Sequence, residues 1–178
     1  GLKIRSGGGI SEASAKLLGA SPLFKPAPES YEILSSGVAD GIFFPTESIK
    51  SFNLDKVVKY ATIFPGGFYS SSFGFFMNED KWNKLSKQDQ DAVMSVSGEA
   101  LARLAGQAWD AADKIGLDTL RAAGGVIADA SPAFVADVRK RTESLVQDWI
   151  KAANAKGIDG TKVFAEFHEE LKKVAAGN

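Results

Sequence analysis

The sequence predicts an α/β fold in which helices flank a parallel or mixed sheet. Residues 2–45 alternate short strands with short helices, a rhythm typical of such sheets. Nine of the 12 phenylalanines lie between Phe24 and Phe76, whereas the chain from Ser86 onward is rich in helix-forming residues. With 178 residues, the chain has room for one ordinary domain or two small lobes.

Turn residues separate the elements of the first predicted sheet. Ser6-Gly7-Gly8-Gly9 is a turn, because glycine adopts backbone conformations that are closed to other residues. Pro22 and Pro26 restrict their segment to an edge or irregular strand. The predicted order is a strand at 2–5, a helix at 11–18 capped by Ser11, an extended segment at 21–26, a helix at 29–36 and a strand at 42–44.

The middle and the end of the chain carry further strand and helix signals. β-Branched and aromatic residues predict strands at 57–64 and 68–77, with Pro65-Gly66-Gly67 between them. A helical turn follows from Asn78. Ser131-Pro132 is a strong helix start, since serine caps and proline occupies the first helical position. A short strand at 126–128 precedes that helix, and Thr161 is expected to cap the last one.

One long helix is predicted from Ser86 to Ala123, because apolar residues recur there at three- or four-residue steps. Gly98, Gly106 and Gly116 weaken it. At ~1.5 Å per residue it would be about 57 Å long, which exceeds the width of a small domain. It must therefore span two lobes, break or project.

Composition excludes several classes of function. The formal net charge is −1, so no basic surface for nucleic acid or an anionic membrane is expected. The chain has no cysteine and a single histidine, His168, which removes thiol chemistry and histidine-rich metal sites. No apolar run approaches the ~18 residues of a membrane span. No metal, cofactor or nucleic-acid partner is predicted, and membrane insertion is not expected.

The first residues read as a strand, and no charged and apolar leader precedes them. A native polypeptide seldom begins inside a strand. We therefore expect a fragment or a processed chain.

The glycine turn at residues 7–9 invites comparison with a dinucleotide-binding loop. Gly7 and Gly9 match the first two glycines of G-x-G-x-x-G, but Glu12 stands at the third. A tight turn is the better interpretation, although the helix N-terminus there still offers N–H groups to a small anion.

Residues near the ends of strands are the candidate binding residues. In open α/β sheets, ligands lie beyond the carboxyl ends of the strands. Arg5 ends the first strand, where it could hold a carboxylate through two hydrogen bonds or pair with a protein acid. Phe43-Phe44-Pro45 and the pair Phe68 and Tyr69 could wall a pocket or belong to the core. Glu47 could face a ligand or cap the next segment.

Positive evidence for catalysis is missing from the sequence. His168 lies on a polar helix beside two glutamates and is expected to be a surface residue. Neither a phosphate-binding G-x-x-x-x-G-K-[ST] loop nor a G-x-S-x-G elbow occurs. No catalytic residue is predicted. An α/β enzyme acting on a small organic acid and a helical interaction module remain the alternatives.

Several segments of the chain follow one another in a characteristic order. They are Gly1-Leu2-Lys3-Ile4-Arg5, Leu18-Gly19-Ala20-Ser21-Pro22, Glu29-Ser30-Tyr31-Glu32-Ile33-Leu34, Gly37-Val38-Ala39-Asp40-Gly41 and Met77-Asn78-Glu79-Asp80-Lys81-Trp82, followed by Leu85-Ser86 and the long helix. Their order closely resembles that of one family, the DctP-like solute-binding proteins of tripartite ATP-independent periplasmic (TRAP) transporters. The resemblance covers nearly the whole chain, but only about the C-terminal half of a typical member.

The resemblance implies a two-lobed periplasmic binding protein that closes around a small organic acid. On this basis we expect a ligand-binding lobe at 1–64, a crossover strand and return at 65–85, a lobe-spanning helix at 86–124, and a strand and helices packing back at 125–178. It also implies a TRAP permease as membrane partner and a periplasmic location, with the signal peptide and N-terminal half outside this chain.

The resemblance also assigns roles to particular residues. Arg5 matches the family arginine that pairs with the ligand carboxylate, and Gly8 falls where some members carry a ligand-contacting asparagine. Many members read D-G-x-E-N-P where this chain reads Asp40-Gly41-Ile42-Phe43-Phe44-Pro45. Phe44 replaces the ligand-contacting asparagine, so a polar contact is exchanged for an apolar wall. We therefore expect an organic acid with an apolar or aromatic body instead of sialic acid or a simple dicarboxylate.

Overall fold

A computed structural model describes residues 1–177 and confirms an α/β fold. Short strands and helices occupy the first third of the chain, and long helices occupy most of the remainder. The strands are β1 (Lys3–Ser6), β2 (Ser21–Phe24), β3 (Gly41–Ile42), β4 (Tyr60–Ile63) and β5 (Val126–Asp129). The helices are α1 (Gly9–Leu17), α2 (Ser30–Ser35), α3 (Ser48–Ser51), α4 (Glu79–Trp82), α5 (Lys87–Ser95), α6 (Glu99–Ala122), α7 (Pro132–Asn154) and α8 (Gly160–Ala175), with 3-10 turns at Ala27–Glu29 and Leu54–Lys56.

The first sheet has the order β2-β1-β3, and both pairings are parallel. Arg5 of β1 stands opposite Leu23 on one side and Ile42 on the other, which places it in the central strand at the carboxyl edge. Ile4 of β1 and Ile33 of α2 are buried. The sheet therefore holds the Arg5 backbone from both sides.

The second sheet consists of β4 and β5, also in parallel pairing, with Tyr60 opposite Val126 and Ile63 opposite Asp129. Predicted strands at 57–64 and 126–128 are thus confirmed with adjusted ends. Helix α6 leads into β5, and Leu120 near its end is fully buried. The second sheet brings Ile63 and Phe64 to the same cleft as the first sheet.

The predicted strand at 68–77 is wrong. These residues form neither strand nor helix, and Phe73, Phe75 and Phe76 are largely exposed. Aromatic residues favour strands, but a strand also needs a partner for its backbone, and among residues 1–177 no ladder forms with this segment. Accordingly, residues 65–85 contain an irregular connection and helix α4 instead of a crossover strand.

The predicted single helix from Ser86 to Ala123 is also wrong, because it breaks into α5 and α6. Gly98, at the start of α6, has φ 60° and ψ −131°, which is far from helical geometry. The Ser97 hydroxyl donates to the Val93 carbonyl at 2.7 Å and helps to end α5. Helix α6 alone has 24 residues, or about 36 Å, which removes the difficulty of fitting 57 Å into the chain.

Helix starts follow the predicted capping residues in part. Ser131 accepts a backbone N–H and caps a helix, as predicted. Asn78 and Ser86, where helical segments were predicted to begin, accept a backbone N–H in the same way. Helix α8 instead begins after Asp159, whose carboxylate accepts the Lys162 N–H at 3.0 Å, so the predicted Thr161 cap is wrong.

The predicted Ser11 cap of the first helix is wrong as well. Helix α1 begins at Gly9, because the glycine turn supplies the entry into the helix, and the Ser11 hydroxyl donates back to the Gly8 carbonyl at 2.9 Å.

Candidate ligand-binding cleft

An open cleft of about 1090 Å³ lies between the carboxyl ends of the two sheets and helix α6. This is where the topology of an α/β protein places a ligand. Four of the predicted site residues line it: Arg5, Phe44, Phe68 and Tyr69. Its further lining comes from the end of β4, from the irregular 65–75 segment and from one face of α6.

Arg5 is the cation of the cleft. Only 3% of the residue is exposed, and Nε and Nη2 donate to the Lys25 carbonyl at 3.0 and 2.6 Å. The guanidinium carbon lies 4.5 Å from the centre of the Phe44 ring. These contacts cover one edge and one face of the group, and Nη1 has no acceptor within residues 1–177. The end of the guanidinium formed by Nη1 and Nη2 is thus the part left for a ligand.

The charge of Arg5 has no ion-pair partner in the described part of the chain. Burial lowers the pKa of Arg5, and the nearby Tyr69 and Glu29 raise it. An arginine side chain nevertheless stays protonated in proteins. A desolvated cation of this kind is costly unless an anion joins it. The site is therefore electrostatically suited to a carboxylate.

Aromatic rings form the wall beside Arg5. Phe43 and Phe68 meet edge to face with ring centres 4.7 Å apart, and Phe64 and Phe68 lie 5.0 Å apart. Such pairs are favourable because the positive ring edge faces the negative ring face. Phe44 stacks on Phe52 at 5.4 Å, which supports the ring that covers Arg5. This wall offers apolar, flat surface to a ligand.

Tyr69 adds a polar group to this wall. Its hydroxyl donates to the Phe43 carbonyl at 3.5 Å, the outer limit of a hydrogen bond. Burial raises the pKa of Tyr69, and the charge of Arg5 opposes that effect. The phenol consequently stays neutral at physiological pH and can donate a hydrogen bond to a ligand anion.

Helix α6 supplies the opposite wall, which the sequence interpretation missed. Phe73 stacks on Trp109 with ring centres 4.9 Å apart, and both line the cleft. Ala102, Ala105 and Gly106 lie along the same face of the helix and leave room for a ligand. Their spacing of three and four residues is visible in the sequence as one helical face, but it fits core packing equally well. Asp113 lies at the far end of this face.

Glu47 and Gly8 lie outside the lining of the cleft as the structure describes it in residues 1–177. The Glu47 carboxylate accepts the hydroxyls of Ser48 and Ser51 at 2.6 and 2.7 Å, but it accepts no backbone N–H of helix α3, so its side chain does not cap that helix. Gly8 has φ 87° and lies against Phe24, where an added Cβ would be 3.0 Å from the ring. A ligand contact for either residue stays a prediction.

Residues 1–177 hold no group of three or more histidine, cysteine, aspartate or glutamate side chains able to bind a metal ion. His168 is exposed on α8, packed edge-on against Phe164 at 4.5 Å, which confirms its surface position. None of the helices in the described range is both long enough and apolar enough to span a bilayer.

The parallel sheet, the long helix and the open cleft between them define one part of a solute-binding fold. The family model for DctP, bacterial extracellular solute-binding protein family 7, matches residues 1–152, so the chain belongs to this family. The resemblance seen in the sequence is thereby confirmed.

Two crystal structures illustrate the likeness. A TRAP periplasmic solute binding protein from Bordetella bronchiseptica, with bound (R)- and (S)-mandelate, is 50% identical, covers 98% of this chain and 55% of its own, and has a TM-score of 0.93. A TRAP solute binding protein from a marine metagenome (an unidentified microbe), specific for aromatic acid ligands and in complex with 3-hydroxybenzoate, is 36% identical over 91% of this chain and 51% of its own, with a TM-score of 0.83.

A curated relative, outer membrane transporter protein TsaT of Comamonas testosteroni, is 30% identical over 162 residues, which is 90% of this chain and 47% of that protein. The chain thus spans about half the length of the relatives it matches.

Proposed function

We propose that this chain belongs to an extracytoplasmic binding protein that captures an aryl carboxylate and delivers it to a TRAP-type permease. The observation that carries the proposal is Arg5, a buried cation that has no ion-pair partner among residues 1–177 and lies on the Phe44 ring at the end of an aromatic cleft. In such a site the charge selects an anion and the rings select its body.

The carboxylate is expected at the end of the Arg5 guanidinium. Lys25 already holds Nε and part of Nη2, so one N–H of Nη1 and the second N–H of Nη2 are left as a parallel pair for the two oxygens of a carboxylate. The neutral hydroxyl of Tyr69 can add a third donor when it exchanges its long bond to the Phe43 carbonyl for one to the ligand. Hydrogen bonds to an ion inside a poorly hydrated site are stronger than those in water.

The body of the ligand is expected between the two aromatic walls. Phe44 and Phe68 lie on one side, and Phe73 and Trp109 lie on the other. An aromatic ring gains offset or edge-to-face contacts there, beyond the burial of its apolar area. A short dicarboxylate such as malonate would leave this surface uncovered and bring a second charge without a partner.

The relatives support this assignment. The Bordetella protein is a TRAP solute-binding protein with bound mandelate, and the marine metagenome protein is one with bound 3-hydroxybenzoate. Both ligands are aryl acids. The Bordetella protein is a periplasmic one, which supports a periplasmic location, whereas the name of the Comamonas relative refers to the outer membrane. A TRAP permease is the partner that this membership favours.

Isothermal titration of the full-length protein with benzoate, mandelate, cyclohexanecarboxylate and malonate tests the proposal. We expect the two aryl acids to bind most tightly and malonate to bind weakly. Tight malonate binding without aryl-acid binding would refute the aromatic ligand. The enzyme alternative is tested by mass spectrometry of the acid recovered after incubation, because a binding protein returns it unaltered. The interaction-module alternative predicts no heat with any of the acids.

A further inference from the structure

Asp113 of helix α6 connects two distant parts of the chain. Its Oδ1 atom accepts the Thr46 hydroxyl at 2.5 Å and the Glu47 backbone N–H at 2.7 Å. Both donors belong to the segment that directly follows Phe44 and Pro45. A carboxylate that accepts two hydrogen bonds from a loop fixes the position of that loop more firmly than a single neutral bond does.

Gly116 brings the same helix and the same loop into direct backbone contact. It lies one helical turn beyond Asp113 and is buried. A Cβ atom at this position would lie 2.0 Å from the Thr46 carbonyl oxygen and 2.8 Å from its carbon. Any side chain at 116 would therefore displace the loop. This gives a second and independent observation that α6 locates residue 46.

The other end of the loop is anchored to the first sheet. The Phe43 N–H donates to the Arg5 carbonyl at 3.0 Å and continues the β1–β3 pairing. Phe44 and Pro45 thus lie between two fixed points, the sheet on one side and Asp113 on the other. The Phe44 ring covers the Arg5 guanidinium in this position.

From this arrangement we infer that Asp113 and Gly116 are positioning residues that hold Phe44 over Arg5 and thereby set the aryl-acid affinity of the cleft. The inference rests on the proposed function for its ligand. Thr46 is the residue through which both act, since its hydroxyl and its carbonyl make the two contacts.

A merely structural role is the alternative to distinguish. Asp113 binds the N–H that precedes helix α3, so it could stabilise that short helix without affecting the ligand. The two roles differ in whether the effect of an Asp113 substitution on ligand binding depends on Phe44. A positioning residue that acts through Phe44 loses its effect on binding when Phe44 is removed, whereas a structural residue weakens binding to the same extent in either background.

A double-mutant cycle on the full-length protein measures this coupling, with benzoate as the probe. We expect Asp113→Ala to weaken benzoate binding about tenfold. It should weaken binding less than about twofold when Phe44 is already alanine. Asp113→Asn keeps an oxygen acceptor and should stay within roughly threefold of the wild type. Asp110→Ala, an exposed aspartate on the same helix, is the matched control and should bind normally. Equal losses in both backgrounds, or none in either, overturn the inference.

Two further variants keep the test decisive if Asp113→Ala fails to fold. Thr46→Val removes only the hydroxyl bond, and Gly116→Ala pushes on the Thr46 carbonyl; either can replace Asp113→Ala in the cycle.

Hydrogen exchange at the Glu47 amide, measured without ligand, separates this inference from the proposed function. Asp113→Ala should raise that exchange rate about tenfold or more, even if the protein binds no aryl acid. An unchanged exchange rate would show that Asp113 does not fix the loop at Thr46 and Glu47, and would overturn this inference. Absent benzoate binding by the wild type would instead overturn the proposed ligand.

Discussion

The guanidinium carbon of Arg5 lies 4.5 Å over the centre of the Phe44 ring, although Arg5 belongs to β1 and Phe44 to the segment that follows β3. The parallel pairing of β1 and β3 creates this contact, because both strands end at the same edge of the sheet. The ring covers one face of the cation without neutralising it. A charged group held in this way keeps its attraction for an anion while losing part of its hydration.

Replacing Arg5 with alanine should weaken benzoate binding by about thirty-fold or more, because truncating one partner of a buried charge pair costs roughly 2–5 kcal/mol. Arg5→Lys should recover little of the loss, since an ammonium group cannot offer two parallel donors and still bond Lys25. Isothermal titration checks both variants. Arg121→Ala, a surface arginine paired with Asp118, is the control and should bind as the wild type does. An unchanged affinity in Arg5→Ala would remove Arg5 from the site.

Replacing Phe44 with asparagine restores the residue that many members of the family carry. We expect benzoate binding to weaken about tenfold, since cation–π contact and apolar burial are both lost. Malonate binding should weaken less or improve, so the benzoate-to-malonate preference should fall. Competition titrations with both acids measure this ratio. Phe167→Asn on the exposed face of α8 is the matched change and should leave the ratio alone. If the ratio of benzoate to malonate affinity is unchanged in Phe44→Asn, residues other than Phe44 determine the specificity of the cleft.

The predictable residues of this site were those whose position follows from strand and turn patterns in the local sequence. Arg5 could be placed because a strand followed by a glycine turn defines the sheet edge. Phe44 could be placed there because a second strand was predicted at 42–44, although β3 in fact ends at Ile42 and Phe44 lies just beyond it. Trp109 and Asp113 escaped prediction, because helical spacing shows which residues share a face but not what that face meets. Phe73 escaped because its segment was predicted to be a strand. The strand predicted at 68–77 failed for a related reason: β propensity describes the segment, whereas its missing partner is a property of the whole fold.

Tyr69→Phe should weaken benzoate binding about threefold to tenfold, the effect of one lost hydrogen bond. The substitution should also change how the free energy of unfolding depends on pH in the alkaline range. Burial raises the pKa of Tyr69 above its ordinary value of 10.0, so the folded state holds the phenolic proton more tightly than the unfolded state. That contribution is fully present below pH 10 and is lost as pH rises through the folded-state pKa.

Denaturant unfolding of wild type and Tyr69→Phe at pH 8 and at pH 11 isolates this effect. The wild type should lose more free energy of unfolding across that interval than the variant does. Tyr60→Phe, which removes a highly exposed phenol, serves as the control and should follow the wild type. Parallel curves for wild type and Tyr69→Phe would show that the phenol is not desolvated in the folded protein.

Two glycines of the predicted long helix should respond to alanine with opposite signs. Gly98 marks the break between α5 and α6, with φ 60° and ψ −131°. Residues with a Cβ atom rarely adopt this backbone conformation. Gly98→Ala should therefore lower the free energy of unfolding by about 1–3 kcal/mol. Gly106 lies inside α6, and a Cβ there would meet no atom within 4 Å. Gly106→Ala should therefore raise the free energy of unfolding by about 0.5–1 kcal/mol, the difference in helix propensity. Urea unfolding of the ligand-free, full-length variants measures both, and a stabilised Gly98→Ala would mean that α5 and α6 join into one helix in solution.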